Sequence, residues 1–204
     1  MKTPRNRTVA ALGVVAGVAA LALLVVFAVV LPKVSSEAAP QLGEVELPDE
    51  LAGGWRALDL GAEGIPEDQV ASLAANSVYA DEVLDDIVEG GGESRQYVNE
   101  DLTAAPTVQV YGAEAGPVVP AQLVDPEAFG LSRPPVEVVE EGEVTCEVNW
   151  TEVDPQTQQP LPEAEVSGAS CQRTEPGLTV RLVGGLDVDS AVAMVNEVWE
   201  LNAA

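Results

Sequence analysis

Near its start, the chain has a long apolar run. The alternation of apolar and polar residues that is typical of a folded domain appears only after it. Residues 8–31, TVAALGVVAGVAALALLVVFAVVL, comprise 24 residues without a charged side chain. As a helix such a run extends about 36 Å, whereas the hydrocarbon core of a bilayer is about 30 Å thick. The run predicts a transmembrane anchor over 8–31, with a short N-terminal stretch over 1–7 before it and a polar linker over 32–47 after it.

Two later segments have the apolar spacing of amphipathic helices. The first begins near Pro66 and ends at the glycines 90–92, residue types that favour the start and the end of a helix. Its polar pair at 76–77 could also kink this helix or divide it into two, so both alternatives remain open. The second begins after Asp187 or Asp189, either of which suits an N-cap. The expected core side chains are Val70, Leu73, Ser77, Ala80, Leu84 and Val88 in the first helix, and Ala191, Met194, Val195, Val198 and Leu201 in the second.

Between these helices, short segments alternate apolar and polar residues as strands do. The alternation is present in RQYVN, PTVQVYG, VEVVEE, EVTCEVNW and LTVRLV. Pro176-Gly177 suits a type II turn before the last of them. Residues 113–134 are rich in Pro, Gly and Ala, and 151–165 are predicted to form an exposed polar loop. The order of elements predicts one α+β domain over 48–204, with helices packed on one face of a mainly antiparallel sheet.

Charge is distributed unevenly along the chain and sets the expected orientation of the anchor. Lys2, Arg5 and Arg7 precede the anchor, Lys33 follows it, and every acid lies at or after Glu37. Cations favour the cytoplasmic side of a span, so the N-terminus is expected in the cytoplasm and the domain outside. A cleaved signal peptide is the alternative, but its apolar region is typically about 7–15 residues long and ends at a small-residue site that this run lacks. The prediction is a single-pass plasma-membrane protein.

Within the anchor, Gly13 and Gly17 form a GxxxG pattern. Small residues at this spacing let two membrane helices approach closely. Gly and Ala are also common in membrane helices that do not associate. A homodimer through Gly13 and Gly17 is therefore a hypothesis.

Cys146 and Cys171 are the two cysteines of the chain. Cys146 alternates with polar neighbours, which places its sulfur on the buried face of a strand, and Cys171 precedes the predicted turn on the first arm of a hairpin. The 24 residues between them exclude a C-x-x-C redox pair, and the absence of His leaves a zinc site short of ligands. Pairing is the default for cysteines of exported domains. A structural disulfide between Cys146 and Cys171 is predicted.

The composition beyond Lys33 excludes several chemistries. That part contains no His, no Lys and five Arg against 34 acids, a formal charge of −29. It cannot build a Ser-His, Cys-His or Ser-Lys nucleophile, a lysine Schiff base or a His-ligated metal centre. The charge also disfavours binding to nucleic acid and to anionic lipid. We therefore assign no catalytic residue, no cofactor and no metal ligand.

Two groups of acidic residues raise calcium binding as an alternative. They are Asp81, Glu82, Asp85 and Asp86, and the D-x-D formed by Asp187 and Asp189. Calcium takes about 6–8 oxygen ligands, typically spaced along a loop. The first group lies in a predicted helix and the second suits a helix cap, so a solvated helix face and a cap are the preferred interpretations.

The layout of the chain carries a resemblance to one group of proteins. A basic start, an anchor, a Pro-containing exit and a small acidic domain with the segment CQRTEPGLTV follow one another. This layout resembles single-pass envelope proteins of actinobacteria. The resemblance covers the architecture and the segment from Cys171 to Leu182. It implies a location at the cell envelope and carries over no functional residue.

Three functions follow from these features. The preferred one is a membrane-tethered, non-catalytic extracytoplasmic domain that binds or organises an unknown partner at the cell envelope. The alternative is the sensory or regulatory ectodomain of an envelope signalling assembly, in which a partner carries the signal because 1–7 is too short for an output domain. The third is a carboxylate-based glycan hydrolase, which the aromatic content of 4% disfavours because sugar clefts are usually lined by aromatic residues.

Overall fold

The computed structural model describes residues 45–203 except 121, 155 and 158. The strands are β1 (Glu50–Leu51), β2 (Trp55–Ala57), β3 (Gly92–Val98), β4 (Thr107–Tyr111), β5 (Val136–Glu141), β6 (Val144–Val153), β7 (Pro160–Glu175) and β8 (Leu178–Leu186). The helices are α1 (Glu67–Ile87), α2 (Pro126–Phe129) and α3 (Val188–Asn202), with a 3-10 turn at Leu58–Leu60. The strands form one antiparallel sheet in the order β1-β2-β3-β4-β8-β7-β6-β5. The predicted α+β class is confirmed.

Helix α3 covers β6, β7 and β8 on one side of the sheet, which we call the α3 face. Its N-cap, Asp187, accepts hydrogen bonds from the backbone N–H and the hydroxyl of Ser190 at 2.9 and 2.8 Å. These bonds hold the pKa of Asp187 below its ordinary value. The prediction that Leu201 faces the core is wrong, because Leu201 is 57% exposed and Trp199 is buried instead. The guanidinium carbon of Arg173 lies 4.5 Å from the Trp199 ring centre, a contact that favours this burial.

Helix α1 packs on the opposite side of the sheet, the α1 face. A Cβ added to Gly92 of β3 would lie 3.2 Å from the Cβ of Leu84, so this strand position faces α1. Gly92 pairs with Tyr111 of β4, so Tyr111 also faces α1. Val110, which precedes Tyr111 on β4, belongs to the core beneath α3. Successive strand residues point to opposite faces. The expectation that the helices share one face is therefore wrong. Helices α1 and α3 lie on opposite faces, and each covers a different part of the sheet.

Strands β6 and β7 continue beyond the rest of the sheet as a two-stranded ribbon. Part of the segment predicted as a loop over 151–165 is paired, for example Val153 with Pro160. Strand β8 pairs with β7 from Ala169 onwards, so the first half of β7 has a neighbour on one side alone. Proline is tolerated there because an edge position needs no second hydrogen-bond ladder.

The folded domain begins ahead of Pro48, within the segment predicted as a linker. Glu93 Oε2 accepts a hydrogen bond from the Leu47 N–H at 2.7 Å, and Arg95 Nη1 donates to the Leu47 carbonyl at 3.1 Å. The Tyr97 hydroxyl donates to the Pro48 carbonyl at 2.7 Å. These three side chains alternate along β3 and so lie in one row on the same face. Leu47 itself is buried in the core.

The predicted anchor over 8–31 and its glycines, Gly13 and Gly17, lie outside the described residues. Among the helices between residues 45 and 203, none has both the length and the hydropathy that crossing a membrane requires. The anchor remains a prediction of the sequence.

We expect Glu93→Gln to stabilise the protein at neutral pH. Burial raises the pKa of Glu93, although the bond from Leu47 opposes the shift. A carboxyl with a raised pKa binds its proton more tightly when folded, so its ionised form opposes folding above that pKa and the penalty disappears as pH falls. Glutamine keeps an acceptor for Leu47 without the charge. Unfolding in urea, followed by tryptophan fluorescence between about pH 4 and pH 8, should show a gain that vanishes in acid.

The matched control for this prediction is Glu200→Gln, which removes the same charge from an exposed position of α3. Its effect measures the general relief of charge repulsion in an acidic domain. An equal gain in both variants at every pH would show that burial of Glu93 has no specific effect.

Candidate functional site

Cys146 and Cys171 lie directly opposite each other on β6 and β7 and form a disulfide, with a Cα–Cα distance of 4.0 Å. Both residues are buried on the α3 face, with exposures of 0% and 1%. The turn after Cys171 is the predicted one, and Gly177 has the positive φ of +92° that the third position of a type II turn requires. The sulfurs are part of the core.

The acidic groups considered as calcium ligands have structural partners. Asp81 Oδ1 accepts from the Ser94 N–H at 2.8 Å and Asp85 Oδ1 accepts from the Gly92 N–H at 3.3 Å, so both connect α1 to β3. Burial raises the pKa of Asp81, and Asp187 caps α3. All members of the two groups except the half-buried Asp81 are exposed. Within the described residues, no three His, Cys, Asp or Glu side chains form a group that could hold a metal ion.

The arginines of the domain divide into paired and unpaired ones. The ion pairs are Arg95 with Asp49 and Asp59, Arg133 with Glu137, and Arg173 with Glu143. Arg56 and Arg181 are exposed, and neither has a hydrogen-bond or ion-pair partner among the residues that the structure describes. A guanidinium left unpaired in so acidic a domain is available to an anion from outside.

A segment of irregular structure crosses the α1 face after β4. We call residues 112–120 the crossing segment. The Ala115 N–H donates to the hydroxyl of Thr179 at 3.0 Å, and Gln172 Nε2 donates to the Gly116 carbonyl at 2.8 Å. Thr179 is fully buried although it is polar, because this contact supplies its hydrogen bonds. The bonds fix the crossing segment above β7 and β8.

Two glycines allow α1 and the crossing segment to approach at one end. A Cβ on Gly90 would lie 2.5 Å from the carbonyl oxygen of Gly112, a distance that leaves no room for a side chain. The Gly112 N–H donates to the Gly91 carbonyl at 3.0 Å. The helix and the crossing segment thus form two adjoining walls above the sheet.

Two clefts meet between these walls. The segment cleft lies between the crossing segment and strands β7 and β8 and has a volume of about 730 Å³. The helix cleft lies between α1 and strands β4 and β8 and has a volume of about 580 Å³. Tyr111 and Arg181 line both, and we call the two clefts together the groove. Its exposed apolar side chains, 41–72% exposed, are Tyr79 and Ile87 in the helix cleft and Val119 and Val183 in the segment cleft.

Three hydrogen-bond donors line the junction of the clefts. Arg181 and Gln109 are direct cross-strand neighbours, and Tyr111 follows two positions along β4 on the same face. Tyr111 is thus the diagonal neighbour of Arg181. Diagonal neighbours are about 7–8 Å apart, a distance that long side chains can span. In the described part of the chain, the guanidinium of Arg181, the amide of Gln109 and the hydroxyl of Tyr111 have no hydrogen-bond partner. Together they offer an anion one charged and two neutral donors.

Sequence reasoning did not single out the groove. The alternation in LTVRLV places Arg181 on the face away from Leu178, Val180 and Leu182, which is the available signal. Its lack of a partner depends on which acids the fold brings near. The apolar wall at Val119 belongs to a Pro-rich stretch without periodicity, so no pattern identified it.

The groove is the candidate functional site because it combines an unpaired charge, free donors and exposed apolar walls. Such a combination binds and orients a ligand. Comparison with protein-family models, with curated proteins and with solved structures finds no match to this chain.

Proposed function

We propose that this chain is a membrane-tethered, non-catalytic extracytoplasmic domain that binds a partner protein at the cell envelope through the groove. The observation that carries the proposal is the set of apolar side chains that stay exposed around the unpaired Arg181. Apolar side chains clustered in a concave surface are typical of interaction sites, whereas single exposed ones are not. A partner that binds in the groove would remove these side chains from water.

The membrane tether is supported by the uncharged run over 8–31 and by the cations that precede it. An extracytoplasmic location agrees with the Cys146–Cys171 disulfide, since such bonds persist in oxidising compartments. On this proposal the N-terminal stretch over 1–7 is cytoplasmic and the domain lies outside the plasma membrane.

Binding rather than catalysis is supported by the residue types at the site. Arginine, glutamine and tyrosine with aliphatic walls supply contacts and orientation. The most frequent general base in proteins is His, and Ser and Cys nucleophiles are commonly activated by an adjacent base such as His; the part beyond Lys33 contains no His and no Lys, and its two cysteines are disulfide-bonded.

The charge of the domain indicates what kind of partner surface surrounds the groove. With a formal charge of −29 beyond Lys33, the domain attracts cationic surfaces and repels acidic ones. Charge complementarity of this kind raises association rates and excludes wrong partners. The proposed partner therefore presents a neutral or basic surface around the part that enters the groove.

Photo-crosslinking in the native membrane tests this function. A benzophenone side chain replaces Val183 inside the groove or, as the matched control, Leu201 on α3, which is also apolar and exposed. We expect one partner to be crosslinked from position 183 and not from 201. The purified partner should then bind the full-length chain, with binding lost in Val183→Asp and kept in Leu201→Asp.

Location is checked on the same cells. Protease added to spheroplasts should digest the domain and leave a tag on the N-terminus protected. Adducts of equal yield at positions 183 and 201, or a domain that is protected from external protease, would contradict the proposed function.

A further inference from the structure

We infer that the groove receives an extended segment of the partner polypeptide, which places one carboxylate on Arg181 and an apolar side chain in each cleft. This inference rests on the proposed function and adds the chemistry that is recognised. It follows from three properties of the groove: the free donors at its centre, the acids at its side and the position of one cleft on each side of Arg181.

The centre of the groove is suited to a carboxylate. Arg181, Gln109 and Tyr111 are neighbours on one face and, among the described residues, have no hydrogen-bond partners of their own. The planar guanidinium matches the two oxygens of a carboxylate and binds them through two parallel hydrogen bonds. The amide and the hydroxyl can donate to the same anion. Side-chain carboxylates of Asp and Glu and a C-terminal carboxylate all fit this description.

The surroundings favour an anion of one charge over a phosphate. Glu114 and Glu147 line the segment cleft beside Arg181. One guanidinium balances one negative charge, whereas a phosphate carries about −1.5 to −2 charges at neutral pH. The excess would face these acids and the strongly negative domain. The exposed Glu114 favours Lys or Arg in the ligand at positions flanking its carboxylate.

The separation of the clefts favours an extended chain. The helix cleft lies above β4 and β8, the segment cleft lies above β8 and β7, and Arg181 on β8 lines both. Neighbouring strands are about 4.8 Å apart, and alternate residues of an extended chain are about 6.6 Å apart. A chain crossing the strands with its acid on Arg181 therefore places residues two positions away over β4 on one side and over β7 on the other, where the helix cleft and the segment cleft lie. The recognised pattern is apolar-x-acid-x-apolar.

A second copy of this chain is the less favoured occupant. A two-fold contact through the groove would bring Arg181 of one copy towards Arg181 of the other, because such interfaces use the same patch on both partners. It would also appose two domains of formal charge −29, which repel each other.

Selection from a random peptide library tests the inference. Heptapeptides displayed on phage are panned against the full-length chain in nanodiscs, with empty nanodiscs as background. We expect enrichment of apolar-x-acid-x-apolar peptides. The best peptide should bind at least about tenfold more weakly to Arg181→Gln, and panning against Arg181→Glu should select Lys or Arg in place of the acid.

Arg56 provides the matched control, because it is also exposed and without a partner among the described residues but lies on β2 outside the groove. Arg56→Gln and Arg56→Glu should leave the affinity and the selected pattern unchanged. The inference is overturned by selected peptides without an enriched acid, by equal losses at Arg56 and Arg181, or by Arg181 variants that alter the oligomeric state alone. A crosslink from position 183 without any preference for an acid would retain the proposed function and remove this inference.

Discussion

Reduction of the Cys146–Cys171 disulfide is expected to lower the free energy of unfolding by about 3.5 kcal/mol. The bond closes a loop with a sequence separation of 25 residues. In the chain-entropy account, opening such a loop gives the unfolded chain freedom that the bond had removed. It also joins the start of β6 to the β7–β8 hairpin, so three adjacent strands depend on it.

Urea unfolding of the full-length chain with and without dithiothreitol measures this effect. The readout is tryptophan fluorescence, because Trp55, Trp150 and Trp199 all lie in the described domain. Reduction leaves both sulfur atoms in the core. The decrease in the free energy of unfolding therefore measures the effect of the covalent bond and not the effect of a cavity. The control is the double variant Cys146→Ala, Cys171→Ala, whose stability should not respond to reductant. Two reactive thiols in the untreated protein would contradict the prediction.

Replacement of Arg95 by Met should destabilise the protein by about 3 kcal/mol. Arg95 Nε and Nη2 donate to the two carboxylate oxygens of Asp59, both at 2.9 Å, and Nη1 donates to Asp49 at 2.8 Å. The side chains of Arg95 and Asp59 are each 16% exposed. Met fills a similar volume but leaves the Asp59 carboxylate and the Leu47 carbonyl without their donor. An unpaired, largely buried carboxylate is costly.

The matched control is Arg56→Met, which removes an exposed guanidinium without a partner in the described part of the chain. Its effect should stay within about 0.5 kcal/mol, as is usual for surface substitutions. Arg95→Lys should fall between the two, because an ammonium keeps the charge and loses the two-pronged contact with Asp59. A loss below about 1 kcal/mol in Arg95→Met would show that the segment around Leu47 is held by apolar packing instead.

The hairpins were predictable because their information is local. Period-two alternation around Cys146 and the turn residues Pro176-Gly177 determine which side chains share a face and where the chain reverses. With both cysteines on buried faces and no His for a zinc site, pairing was the default expected of an exported domain. The ribbon within 151–165 was not predictable, since its prolines argue against a strand unless one knows that this part of β7 lies at an edge.

The helices show where local information ends. The spacing around Leu84 and Val195 indicates that each helix buries one side, and a helix of this kind packs on whichever sheet face is uncovered. The pattern does not say which face, because that depends on how the strands are ordered. Likewise Trp199 and Leu201 both border the apolar stripe of α3. Arg173, brought by β7, favours burial of the tryptophan.

The sequence by itself determined the two long helices, the strands around Cys146 and Pro176-Gly177, the disulfide and the residue types that the domain lacks, since these depend on composition and on neighbours along the chain; the anchor remains its prediction. Only the tertiary structure decided the groove. The direct cross-strand neighbours of Arg181 are Gln109 on β4 and Gln172 on β7, neither of which is an acid, and the crossing segment supplies a wall from a stretch without periodicity. Both depend on residues far apart in sequence, whose proximity is set by strand order and cannot be read from local pattern.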